Sequence, residues 1–370
     1  MRVRLNRYNP FAALPGSIGP ELGQALICEI AKLVPNFMDI KSLLTVCKQW
    51  NSVSPEITRP SFPLPFPLLM LSKTLNTNWR SFFNLCDSKR YRLELSTFGG
   101  KRCWGSSYGW VVLLDPNSNA HLEHLGKGRQ IILPSLNTIR TLAATEEWFR
   151  LIHKFIIFKQ PSHESSFLVM AIFGPKNSLA FVRVGEGAAL NGRGQDEWVL
   201  VANPDEFEFK DVACFNDQIY GLCDNGTLVC VELDAEVQVV SPQPEDVWEP
   251  QKLYLVELSG SLFGVFGYGY YYPLERRYET VSFSVYKFNF DAPSWEEVRN
   301  GRGLEDHAVF VGDGNSWCCP TITISSSSKR IYFTDDNWHE NEGCDVGVFD
   351  MKTSEIQPLP FGEDNPSSYS

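Results

Sequence analysis

The fold class predicted by this sequence is a β-propeller of about six blades, each of four antiparallel strands, preceded by a small all-α module. Three observations predict it. Short apolar runs recur between turn signals through most of the 370 residues. Two strand–turn–strand segments repeat without gaps. Helical periodicity is strong only at the beginning of the chain, and it fades after a proline-rich stretch.

The helical part comes first. In DIKSLLTVCKQWNSV, residues Ile40, Leu43, Leu44, Cys47 and Trp50 fall within an arc of about 120° at helical spacing, the width of a buried face. Asp39 suits the N-cap or first turn. PELGQALICEIAKLV repeats the pattern, with Leu22, Leu26, Ile30 and Leu33 on one face and Pro20 and Glu21 in a first turn. Pro35 and Asn36 break the chain between the two. Residues 14–58 are read as this module, too small to bury a sizeable core by itself. The alternative is a helical cap packed on its own domain. PEITRPSFPLPFP follows, with five prolines. Proline fixes its own φ and restricts the residue before it, so residues 59–70 are read as a stiff connector.

From residue 71 to 370 the texture is that of strands. Helical periodicity survives weakly at Thr74–Leu85 and Thr145–Ile152. WVVLL, QIILP, KFIIF, FLVMAIF, LAFVRV, TLVCVEL, SLFGVFG, FSVYKFNF, HAVFV, RIYFT and VGVFD have the length and composition of strands. Several are apolar without alternation, as strands buried on both faces are. QIYGLCDNGTL (Gln218–Leu228) aligns with KLYLVELSGSL (Lys252–Leu262), placing Tyr220 on Tyr254, Gly226 on Gly260 and Leu228 on Leu262. Each reads as a hairpin with glycine in its turn. Arg330–Tyr332 is a weaker third copy. Strand-rich repeats of this period point to a propeller, with a large two-sheet sandwich as the alternative.

A net charge of −11 argues against sequence-independent phosphate binding and so against nucleic acid as the partner. No run approaches about 18 apolar residues, so no membrane span is expected. The ten cysteines are scattered, with no C-x-x-C, and read as reduced thiols of a cytoplasmic or nuclear protein.

Candidate chemistry is sparse. His121 and His124 share a loop-like segment, and His339 lies near Glu340, Glu342 and Cys344. Neither set has a zinc spacing. Asp335–Asp336 reads more simply as a blade turn than as a carboxylate pair. The glycines of Gly185–Gly194 lack phosphate-loop spacing, and GSSYG (Gly105–Gly109) is not a nucleophile elbow. No catalytic residue, metal ligand or cofactor is expected. VFGYGYYYPLERRYETV is different. It concentrates Tyr268, Tyr270, Tyr271, Tyr272 and Tyr278 with Arg276 and Arg277, residue types enriched at interface hot spots. The plainer reading is a long hairpin whose tyrosines cover the neighbouring blade.

LLTVCKQW after MDI resembles the second half of an F-box. Downstream, the sequence resembles plant F-box proteins with a KIB-type, kelch-like β-propeller. The matching stretches run in the family's order: Cys103–Asp115, Ile131–Pro134, Phe209–Leu228, Tyr254–Leu262, Phe283–Val298, His307–Ser316, Ile331–Asp336 and Asp345–Asp350. Two places depart from the pattern. Leu14–Pro15 stands ahead of the first helix, where Pro20–Leu22 is followed by Gly23, and Cys318–Cys319–Pro320 does not fit the blade repeat.

The resemblance implies a substrate-recognition subunit of an SCF-type E3 ubiquitin ligase. The F-box would dock a Skp-type adaptor, and through it a cullin–RING ligase, by Leu26, Ile30, Leu33, Leu43, Leu44, Cys47 and Trp50. The propeller would bind a target protein, with Tyr268, Tyr270, Tyr271, Tyr272, Arg276 and Arg277 as candidate contacts. Such a subunit is not itself an enzyme. The alternatives are a propeller scaffold with a degenerate F-box and a kelch-type propeller enzyme.

Overall fold

The computed structural model describes residues 68–70, 79–85, 89–94, 99–105, 109–125, 129–139, 151–158, 166–185, 197–233, 236–274, 277–312, 314–320, 329–334 and 345–359. All belong to one unit, Pro67–Ser370. Residues 14–58, with the candidate helices, and 59–67 of the expected connector lie outside the described residues.

The described strands form six sheets. Sheet I holds β1 (Leu68–Met70), β2 (Trp79–Asn84) and β3 (Lys89–Glu94). Sheet II holds β4 (Arg102–Gly105), β5 (Trp110–Leu114), β6 (Ala120–His124) and β7 (Gln130–Ile132). Sheet III comprises β8 (Ile152–Phe158), β9 (Phe167–Phe173), β10 (Ser178–Val184) and β11 (Val199–Leu200). Sheet IV comprises β12 (Phe209–Phe215), β13 (Gln218–Cys223), β14 (Leu228–Val231) and β15 (Gln238–Ser241). Sheet V contains β16 (Lys252–Leu258), β17 (Ser261–Tyr272), β18 (Arg277–Asn289) and β19 (Ser294–Glu297). Sheet VI contains β20 (His307–Val311), β21 (Trp317–Pro320), β22 (Arg330–Phe333), β23 (Gly347–Asp350) and β24 (Glu355–Pro358). Within sheets II to V, each strand pairs antiparallel with its sequence neighbour.

The sheets stack face to face, and strand alternation explains how. In β5, Val111 and Leu113 lie in one cluster with Met70 of sheet I. Trp110, Val112 and Leu114, on the other face, pack among Phe155, Val169 and Ala171 of sheet III. Adjacent residues point to opposite faces, so a strand between two sheets must be apolar throughout. The same division recurs around the molecule. Ile156 and Met170 of sheet III meet Val212 and Val229 of sheet IV. Ala213 and Leu222 of sheet IV meet Leu253 and Leu255 of sheet V. Tyr254 and Val256 of sheet V meet Val309 and Ile331 of sheet VI. Ala308 and Tyr332 of sheet VI meet Leu69 and Phe83 of sheet I. The ring is thereby closed: this is an all-β propeller, not a two-sheet sandwich.

Three details differ from the sequence reading. Sheets are not uniformly four-stranded and antiparallel. Sheet I has three strands among the described residues, and sheet VI has five, in the order β21-β20-β22-β23-β24, with β20 and β22 parallel. Cys318–Cys319–Pro320 departs from the blade repeat because it belongs to β21, the added edge strand. Second, Trp79–Asn84, in the weak helical candidate Thr74–Leu85, is a strand. Phe82 and Phe83 are both almost fully buried, which adjacent residues achieve on opposite faces of a strand. Likewise Ile152, which ends the other candidate, opens β8; Thr145–Arg150 lies outside the described residues. Third, the echo is not the blade period. Its first copy is β13–β14, in the middle of sheet IV, whereas its second is β16–β17, the first hairpin of sheet V. What the copies share is hairpin chemistry: Gly226 (φ 78) turns one, while Ser259 (φ 49) and Gly260 (φ 71) turn the other.

Candidate functional site

The tyrosine-rich stretch is a long hairpin. β17 and β18 are the longest described strands, at 12 and 13 residues, and they pair without interruption from Phe263–Lys287 to Tyr272–Arg277 except for one bulge. Tyr268 stands opposite Ser282 and Gly269 opposite Thr280, so Val281 is the extra residue. A Cβ at Gly269 would lie 2.3 Å from the Glu279 carbonyl oxygen and 2.5 Å from the Tyr278 hydroxyl, so the close approach of the two strands requires glycine there.

Beyond the bulge the hairpin leaves the body of the propeller. β16 pairs with β17 only as far as Lys252 opposite Gly267, and β19 pairs with β18 only from Tyr286 onward. Tyr270 (63% exposed) and Tyr271 (58%) lie on opposite faces of β17, so both faces of the tip meet solvent. Val281 is exposed and Leu274 fully so. Tyr268 and Tyr272 are half-buried, and the Tyr268 hydroxyl lies 3.0 Å from the Ser284 hydroxyl. Arg276, and the side chain of Arg277, lie outside the described residues. The reading in which the tyrosines cover a neighbouring blade does not hold for Tyr270 and Tyr271.

Asp345, from the segment leading into β23, fixes the hairpin where it leaves the body. Its carboxylate is buried and accepts from the Thr280 N–H at 2.9 Å, the Thr280 hydroxyl at 2.6 Å and Lys252 Nζ at 2.9 Å. Lys252 also sits 4.4 Å above the Tyr278 ring. Sequence reasoning missed this group, because its members come from three distant segments.

It also missed the polar group where the edge strands β8, β12, β16 and β21 adjoin. Lys154 Nζ lies 2.8 Å from Asp211 Oδ1, and both side chains are almost completely buried. Asp211 Oδ2 accepts from the Leu255 N–H at 3.0 Å and the Ser316 hydroxyl at 2.6 Å, while Lys154 donates to the Gly312 carbonyl at 3.2 Å. A register shift precedes each ionic residue, at Ile152/Lys154 and Phe209/Asp211. The only signal in the sequence is a charge inside each of two apolar strands. With its hydrogen bonds satisfied, the group ties sheets III, IV, V and VI together.

The other candidates separate. His121 and His124 are on strand β6, not in a loop. Burial, then the charge of Lys101, pushes His121 below the usual histidine range, and the His124 ring meets Trp110 edge-on at 5.1 Å. His339, Glu340, Glu342, Cys344, Asp335 and Asp336 lie outside the described residues, as do Gly187–Gly194 and Ser106–Tyr108. Among the described residues no His, Cys, Asp and Glu side chains converge as a metal site. The six described cysteines are free thiols, none of them exposed.

The KIB1-4 beta-propeller family model matches residues 82–350. The chain belongs to this family. The KIB1-4 match runs from within β2 to the end of β23 and takes in the Lys154–Asp211 pair and the hairpin. It does not extend to the N-terminal segment, where no F-box was detected. Leu26, Ile30, Leu33, Leu43, Leu44, Cys47 and Trp50 lie outside the described residues. No curated relative matches the chain. Among solved structures, this KIB1-4 propeller is similar to YCF48 bound to D1 peptide (14% identity, 52% of this chain and 59% of that chain, TM-score 0.30). The chain therefore spans less than two thirds of YCF48. It is also similar to the Myceliophteria thermophila Cps50 (Swd1) β-propeller domain (10% identity, 78% and 85%, TM-score 0.34). A third likeness is to the N-terminal domain of Nup159 (12% identity, 82% and 81%, TM-score 0.33).

Proposed function

We propose that this KIB1-4 propeller is the target-binding part of a substrate-recognition subunit of an SCF-type E3 ubiquitin ligase. Residues 14–58 serve as the F-box that docks a Skp-type adaptor, and through it a cullin–RING ligase. The proline-rich residues 59–66 connect it to the propeller, whose first described strand is β1 (Leu68–Met70), placed in the connector by the sequence reading. The role is non-catalytic, needs no cofactor, and places the protein in the cytoplasm or nucleus, with neither nucleic acid nor membrane as its partner. The observation that carries the reading is one chain joining a V-C-x-x-W sequence motif (Val46–Trp50) to a KIB1-4 propeller whose hairpin presents Tyr270 and Tyr271 to solvent. Tyrosine offers large contact area at low entropic cost, which suits capture of a protein.

The test is co-purification of the full chain with a Skp-type adaptor, beside the Leu43→Asp variant. Burying an unpaired charge at an interface costs several kcal/mol. The expected result is adaptor bound by the parent chain and lost in the variant, with strand circular dichroism unchanged. Failure of the parent chain to bind, or undiminished binding by the variant, overturns the F-box assignment.

A further inference from the structure

The projecting part of β17 has an open backbone edge. The Gly269 N–H points away from β18, toward the side β16 occupies lower down, where the Gln251 side-chain oxygen accepts it at 2.9 Å. The bulge residue belongs to β18, so β17 is regular from Gly269 onward. Backbone groups alternate in direction along a strand, which turns the Tyr271 N–H and C=O to that same outer side. β16 has ended by then, and neither group has a hydrogen-bond partner among the described residues. Proteins ordinarily blunt such an edge with lysine, proline or a covering segment. Here the edge carries exposed tyrosines, and Pro273 ends it only at the tip, leaving the Tyr271 N–H and C=O open.

The chemistry beside the edge narrows what fits it. The segment Pro242–Gln251 holds Trp248, 81% exposed, and the acids Glu245, Asp246 and Glu249, with no lysine or arginine. Gln251 joins this segment to the edge, since its side-chain amide also donates to the Glu249 carbonyl. The next cation along the chain, Lys252, is already paired with Asp345.

We propose that an extended segment of the target, alternating apolar and basic residues, adds to the outer edge of β17 as a further strand. It pairs its backbone with Tyr271 and sets its cations beside the acidic Trp248 segment. Strand addition of this kind takes affinity from main-chain hydrogen bonds and selectivity from alternate side chains. This inference rests on the target-capture reading of the hairpin.

The test uses an end-capped octapeptide of alternating valine and lysine, titrated into the full chain. Its controls are the valine–glutamate counterpart and the valine–lysine peptide N-methylated on alternate amides. The readouts are tryptophan fluorescence and amide exchange over Tyr268–Tyr272. The expected result is protection of that segment by the valine–lysine peptide, with binding weaker by about tenfold or more for either control. Tyr271→Pro removes the outward N–H together with the ring, and Tyr271→Ser, which removes the ring and keeps the N–H, is its control. The proline variant should keep the melting temperature and bind the peptide about tenfold more weakly than the serine variant. Equal binding of the N-methylated peptide, or binding to Tyr271→Pro no weaker than to Tyr271→Ser, overturns strand addition. The two readings separate on the physiological target. If Tyr271→Pro retains the target while Tyr270→Ser with Tyr271→Ser loses it, strand addition falls and capture by the hairpin stands. If both variants retain it, the capture reading falls as well.

Discussion

Lys154 and Asp211 meet at 2.8 Å, each projecting from an edge strand just after a register shift, and both are almost wholly buried. Burying two charges is worthwhile only when their remaining hydrogen-bonding capacity is filled. Leu255, Ser316 and Gly312 fill it, from strands or turns of two further sheets. The ion pair is a cross-brace on the ring.

Removing one partner exposes the cost of the other. Lys154→Met is expected to destabilise the propeller by about 3–5 kcal/mol, because the Asp211 carboxylate is left buried without its cation. Asp211→Leu should cost at least as much, since the Leu255 N–H then loses its acceptor. The double variant should lose less than the sum, by about 1 kcal/mol or more. Denaturant unfolding of the four proteins measures this, and strict additivity would show that the two residues act independently.

Asp345 holds the base of the hairpin, so Asp345→Ala is expected to release it locally. The Thr280 N–H loses its acceptor, at a cost of about 1–3 kcal/mol. Amide exchange at Thr280 should quicken while sheets II and III remain protected. Unchanged exchange at Thr280 would rule out the clamp.

Gly269→Ala places a methyl group against the Glu279 backbone. The strands must part, at an expected cost of about 1–3 kcal/mol. Gly105→Ala is the control: its added Cβ meets nothing within 4 Å. Its stability should stay within about 0.5 kcal/mol of the parent. Thermal unfolding compares the two, and equal melting temperatures would contradict the close approach at the bulge.

Tyr270→Ser with Tyr271→Ser removes exposed rings that cover no blade. Stability is expected to change by no more than about 0.5 kcal/mol, while recovery of the bound target falls sharply. A large drop in melting temperature would return these tyrosines to a structural role, and full recovery of the target at normal stability would remove the hairpin from the interface.

Burial, and then the carboxylates Asp224 and Glu257 respectively, push the thiols of Cys223 and Cys318 up to about 12. Both stay protonated at neutral pH, and the thiol is not the reactive form. Native protein treated with iodoacetamide near pH 8 should leave both unlabelled by mass spectrometry, and unfolding should expose them. Labelling of native Cys318 at the rate of a free thiol would contradict this.

The sequence by itself determined that residues 71–370 would be built of strands and pointed to a propeller over a two-sheet sandwich; the structure extends that domain back through β1, which had read as connector. Runs such as Trp110–Leu114 are apolar on both faces, and only stacked sheets bury both. It also singled out Tyr268–Tyr278, because that many tyrosines beside arginines is a compositional signal that needs no coordinates. Pairing decided the rest. Composition is the same for a loop and for an extended hairpin; the register from Phe263 to Tyr272 made it a hairpin, and the early end of β16 left its outer edge open. Lys154 and Asp211, or Asp345 and Lys252, stand far apart in the chain, and each looks alone like an ordinary charge in or beside a strand. Ring closure and the register shifts bring each pair together, and a buried charge gains its partner only from tertiary structure.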